Sequence, residues 1–211
     1  MHYLKTKKRK SKRYLLIVGL LLFLCGSIYF IYNYKQNNDN KKIEDESINE
    51  FFKEEPVSNI EEKNNQNQSE VKINKTIDYM AILEIPIINL KKGLVDINSS
   101  SNNVNNNIYI LKESTFPKEN EDSHIILAAH SGNSSISYFK NIIKLNINDR
   151  INLYYQNNLY KYDVIKKYEI EKTGKLNIDL TNNSDLTLVS CISNTNKQIV
   201  ILAELKQVYK Y

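Results

Sequence analysis

The residues from Tyr14 to Tyr34, "YLLIVGLLLFLCGSIYFIYNY", carry no charge over their whole length. A helix of about 20 apolar residues spans the roughly 30 Å hydrocarbon core of a bilayer. A block of cations precedes the run: Lys5, Lys7, Lys8, Arg9, Lys10, Lys12 and Arg13. Basic residues before a span and mixed charge after it predict a cytoplasmic N-terminus, with everything past Tyr34 outside. A cleaved signal peptide is the competing reading. It fits less well, because no A-x-A-like site follows and the run exceeds the usual apolar segment of about 7–15 residues. A lipoprotein anchor at Cys25 would want a small residue before it, and Leu24 is large. The cation block also accounts for the formal net charge of +5. The remainder is close to neutral, which argues against a nucleic-acid partner, because phosphate binding needs a basic patch on the folded part.

Four segments follow from this: a basic cytoplasmic segment 1–13, a membrane anchor 14–34, an extracellular stalk 35–76 and a folded domain 77–211. The stalk is rich in Asn, Gln, Lys and Glu. Such a stretch buries too little apolar surface to offset its ordering entropy, although "IEDESINEFFKEE" (Ile43–Glu55) has the makings of a transient helix. From Tyr79 the pattern changes. "YMAILEIP" (Tyr79–Pro86) alternates and stops at a proline, as a strand does. Further strands are expected at Ile88–Val95, Asn107–Ser114 and Ser123–His130, the last a continuous apolar run. "SYFKNIIKL" (Ser137–Leu145) has helical spacing. Arg150–Lys172 reads as a hairpin turning at Gln156–Asn158, and Leu186–Cys191 and Gln198–Leu205 close the series. About eight short strands with one helix favour a closed or nearly closed β-barrel.

Chemistry concentrates at two strand ends. Cys191 ends "LTLVSC", and the other cysteine, Cys25, lies in the apolar run, so Cys191 has no soluble partner for a disulfide. A free Cys is commonly a small core hydrophobe. In an oxidising compartment, though, an unpaired thiol is a liability unless it is used. His130 ends "HIILAAH" and enters the turn Ser131-Gly132-Asn133. His124 begins the same strand, about 20 Å away at 3.3 Å per residue, so only one of the two can serve Cys191. His2 is cytoplasmic in this reading. There is no Cys-x-x-Cys and no His-x-x-x-His, which argues against zinc. A Cys to attack a carbonyl and a His to handle the proton suit nucleophilic catalysis.

"AAHSGNSSISYFKNI" (Ala128–Ile142) and "LTLVSC" (Leu186–Cys191) resemble the His and T-L-x-T-C motifs of sortases, the membrane-anchored transpeptidases of Gram-positive bacteria. "ILEIPIINLKKGLV" (Ile82–Val95) resembles the family's first two strands, and the likeness runs in order through most of Tyr79–Leu205. It implies a mainly β fold: a closed sortase-like barrel of about eight strands with one or two short helices, preceded by a transmembrane helix and a disordered stalk. It also implies that Cys191 cuts a C-terminal sorting motif of secreted partner proteins, usually between Thr and Gly. A thioacyl enzyme would follow, resolved by an amine of a peptidoglycan precursor or of another protein, with His130 moving the protons. Ser190 stands where the family has Thr and keeps the hydroxyl.

The departure is the family's arginine, which follows the Cys on the next strand and serves substrate and oxyanion. "KQIVILAEL" (Lys197–Leu205) has none, and Arg150, the one Arg after Arg13, opens a different strand. Gln198 falls where the Arg is expected, with Lys197 beside it. Alternation sends the two to opposite faces, and Gln198 is the expected oxyanion donor, with Lys197 the second candidate. No cofactor is implied. Calcium at Glu119, Glu121 and Asp122 is a weak alternative, since hard-cation sites need more oxygens than three adjacent acids supply. "EEPVS" (Glu54–Ser58) lacks the aromatic residue of the lid found in pilus-building sortases, which favours wall anchoring. The rival class is a catalytically degenerate, membrane-tethered binder of peptides or wall components. An L,D-transpeptidase would place Gly, not Ser190, before the Cys.

Overall fold

The computed structural model describes residues 3–53, 76–119, 121–174, 178 and 183–211, with side chains from Tyr14 onward. The lid segment Glu54–Ser58 and most of the expected stalk lie outside the described residues. The chain divides into two compact units, Met1–Ile43 and Glu44–Tyr211. A helix, α1, runs from Tyr3 to Phe51. It contains the one described helix long and apolar enough to cross a membrane, by length and composition. Its last two turns belong to the second unit.

The second unit is built on eight strands: β1 (Ala81–Ile85), β2 (Leu90–Leu94), β3 (Tyr109–Ile110), β4 (His124–Ala128), β5 (Arg150–Tyr155), β6 (Asn158–Glu171), β7 (Asp185–Cys191) and β8 (Lys197–Lys210). They form one sheet in the order β2-β1-β5-β6-β8-β7-β4-β3. The sheet curls into a nearly closed barrel. At the seam β2 and β3 do not pair. Instead the buried Asn107 donates its amide to the Gly93 carbonyl on β2, at 3.1 Å. The β5–β6 hairpin turns on Gln156 and Asn157, with φ of 47° and 58°. A two-residue turn of this type needs positive φ at both positions, so the turn falls where the sequence places it.

Alternation along the strands sorts side chains into two sets. Ile125 and Leu127 of β4, Leu186 and Leu188 of β7, and Ile199 and Ile201 of β8 enter the main core. Ile126, Val189 and Val200 form a separate apolar cluster on the other face, with Leu111, Ala128, Tyr168, Ile170 and Ile178 against it. β4 and β7 run parallel, with Ile126 level with Thr187 and Ala128 level with Val189.

The helix expected over Ser137–Leu145 is not an α-helix. The segment is a run of turns ending in a 3-10 helix at Ile142–Lys144. Its backbone bonds reach back three residues: Lys140 to Ser137, Ile142 to Phe139, Leu145 to Ile142. The reason lies in the buried positions. Phe139, Ile142 and Leu145 all point inward and sit three apart, the period of a 3-10 turn rather than of an α-helix.

Candidate active site

Two hydroxyls tie together the C-terminal ends of β4 and β7. The backbone ladder between these strands stops where the Ala129 amide donates to the Val189 carbonyl, at 3.3 Å. Beyond it, the Ser190 hydroxyl donates to the Ala129 carbonyl at 2.7 Å. The Ser131 hydroxyl donates to the Cys191 carbonyl in a short contact. The residue before the cysteine therefore grips the residue before the histidine, and the residue after the histidine grips the cysteine. Ala128–Val189 is the last registered pair, and His130 and Cys191 each follow it by two residues at the same end of the two strands. Both are half-buried, and Cys191 is a free thiol.

The face that Cys191 presents follows from alternation. It shares the side of Val189, hence the apolar cluster, while Ser190 turns to the core and is 2% exposed. Ser190 thus acts as a clip between strands, with its hydroxyl directed away from that cluster. Gln198 is the direct cross-strand partner of Cys191 and pairs with Ile170 on its other side. Residues directly opposite in an antiparallel pair lie on one face, so Gln198 stands beside Cys191. Lys197 is one residue off that register and exposed. Its ammonium lies 3.0 Å from the Glu169 carboxylate, and that contact, more than any other, raises its pKa. Arg150 pairs with Asp163 across β5 and β6.

One neighbour of the site was not foreseen. The His130 Nε2 lies 3.4 Å from the Asn105 Oδ1. Asn105 belongs to the asparagine-rich loop between β2 and β3, which looks structureless as a sequence. Buried side chains shape it. Asn102 donates to the carbonyls of Ile97 and Ile110 and accepts from the Ile110 amide. Asn103 accepts from the Asn105 amide. His124 sits at the far end of β4, where its Nδ1 is 3.1 Å from the buried Asp185. Of the acids considered for calcium, Glu121 lies 3.7 Å from the Lys118 ammonium and Asp122 accepts from the Ser184 hydroxyl.

A half-buried thiol and an imidazole at the same end of two paired strands are the kinds of group a cysteine acyl-transfer enzyme needs. The sequence matches the family profile of the sortase domain over residues 83–206. The chain belongs to the sortase family, whose members are transpeptidases. Sortase A of Listeria monocytogenes superposes with a TM-score of 0.53 at 22% identity, over 63% of this chain and 90% of that one. A sortase D5 transpeptidase of Clostridium perfringens gives 0.51 at 22% identity, over 62% and 80%. Sortase C of Streptococcus pneumoniae gives 0.55 at 17% identity, over 65% and 73%. These neighbours span several sortase classes and share the fold. No curated protein sequence matches the chain.

Proposed function

We propose that the protein is a membrane-anchored cysteine transpeptidase with Cys191 as nucleophile and His130 as acid and base. The Cys191 sulfur attacks the carbonyl of a peptide bond in a C-terminal sorting motif. The C–N bond breaks, and His130 gives its proton to the leaving amine. A thioester joins the acyl part to Cys191. An incoming amine of a wall precursor then attacks, His130 takes its proton, and an amide replaces the thioester. The cycle closes on these groups without a cofactor. Asn105 accepts from the Nε2–H of His130, which leaves Nδ1 to exchange the proton. Gln198 donates its amide to the oxyanion, in place of a guanidinium.

The observation that supports this reading is the parallel β4–β7 pairing with its two serine clips, which tie together the segments that carry a free thiol and an imidazole. The anchor is the run 14–34, with the N-terminus cytoplasmic and the domain outside. The missing arginine is what favours the second reading, a binder that no longer turns over. The test uses the full chain in detergent micelles with sorting-motif peptides and hydroxylamine or oligoglycine. Product that disappears in Cys191→Ala supports the transpeptidase. Retained peptide binding with no product or adduct across a peptide library leaves the binder.

A further inference from the structure

Lys92 lies in the middle of β2 and is only 6% exposed. A lysine so placed needs partners, because a buried ammonium without them is costly. It has two. The Glu44 carboxylate of α1 is 2.7 Å away, and the Tyr138 ring lies 4.5 Å below the ammonium. Glu44 belongs to the last two turns of α1, which are seated in the domain. Ile48 packs with Tyr79, Ile82 and Val95, and the Ile77 amide donates to the Ser47 hydroxyl at 2.9 Å. The Tyr79 ring covers Gly93 so closely that a Cβ there would clash with it. Burial first, then Glu44 and Tyr138, raise the Tyr79 pKa, so its phenol shares the same cluster.

Tyr138 is also part of the loop that carries His130. Phe139, the next residue, is fully buried and donates its amide to the His130 carbonyl at 3.0 Å. The His130 loop is thus held at two adjacent residues, Phe139 in the core and Tyr138 under Lys92. We propose that Glu44 and Lys92 are positioning residues for His130, so that the last turns of the N-terminal helix complete the active site by holding Tyr138. This rests on the reading of Cys191 and His130 as the catalytic pair. A purely structural role for the ion pair is the alternative, and stability alone cannot separate the two.

The test uses the full chain in micelles in a Cys25→Ala background, so that Cys191 is the only thiol. The double variant Glu44→Gln/Lys92→Met removes both charges and leaves neither buried alone, which is the tolerated way to delete such a pair. Tyr138→Leu breaks the contact without touching charge. Lys91→Met, at the neighbouring exposed lysine, is the control. Three quantities are read: Tm, kcat with KM, and the pH midpoint for alkylation of Cys191 by iodoacetamide. A displaced base should lower kcat about tenfold with KM little changed. It should also move the alkylation midpoint, because the position of the imidazole relative to the thiol has changed. Both the double variant and Tyr138→Leu should do this at near wild-type Tm, and Lys91→Met should do neither. Unchanged kcat and midpoint in both variants, or a loss that only tracks Tm, overturns the proposal. If the wild type yields no product with any peptide, the function fails on that count, and the alkylation midpoint still decides the positioning role.

Discussion

Cys191 and Gln198 are direct partners across β7 and β8, and on the proposed reading Gln198 takes the place of the guanidinium. Gln198→Ala should lower kcat about 10²–10³-fold, the usual loss for one oxyanion donor. Lys197→Ala should leave turnover unchanged, since its ammonium is spent on Glu169. Steady-state transpeptidation of the two variants decides between them. The Asn105 contact is worth about 1 kcal/mol of orientation, about fivefold in kcat. Asn105→Asp keeps the acceptor, so it should recover that loss. It should also raise the pH at which the imidazole gives up its proton, because a carboxylate favours the charged ring. A pH–rate profile of Asn105→Ala beside Asn105→Asp reads both effects. As candidates, Cys191 and His130 were legible in the sequence because each ends an apolar run at a polar turn. Asn105 was not. Its residue type is everywhere in "SSSNNVNNN", and only the buried hydrogen bonds of Asn102 and Asn107 distinguish that loop from a solvated tract.

The site is assembled where β4 and β7 meet, and the hydroxyl clips carry the alignment past the end of the ladder. Ser190→Ala strands the Ala129 carbonyl in the interior, at a cost of about 1–3 kcal/mol. Urea unfolding should find that loss, and Ser190→Thr should restore most of it. Strand positions were readable because alternation and apolar runs survive in the sequence. Partnering was not: β4 and β7 lie far apart in the chain, and no local signal says that they pair in parallel. The Ser137–Leu145 segment shows the limit of period reading. Apolar residues three apart satisfy a helical pattern as easily as a chain of 3-10 turns, and the buried Phe139 decided for the latter. β3 came out as two residues, since the Ser114 hydroxyl takes the Ile126 amide that a longer β3 would have paired with.

The folded unit of the whole molecule reaches back to Glu44, well upstream of Ile77, because Ile48 and Phe51 find apolar partners that a solvated stalk would not offer. The same surface carries Tyr154, whose hydroxyl donates to Glu84 at 3.0 Å. Burial first, then that hydrogen bond, push its pKa up to about 12 from 10.0. Above pH 10 the unfolded chain gives up this proton and the folded one keeps it, so the unfolded state binds fewer protons and stability falls as pH rises. The loss should run between pH 10 and about 12, and Tyr154→Phe should flatten that limb in urea titrations across the range. The central claim, that this sortase-family domain works through a thioacyl enzyme on Cys191, is tested most directly by intact mass spectrometry. The full chain is mixed with a sorting-motif peptide and no acceptor amine, quenched in acid and mapped. The account predicts an acyl adduct on Cys191, lost on adding hydroxylamine and absent in Cys191→Ala. Product formed while Cys191 stays unmodified, or undiminished product from Cys191→Ala, would contradict it.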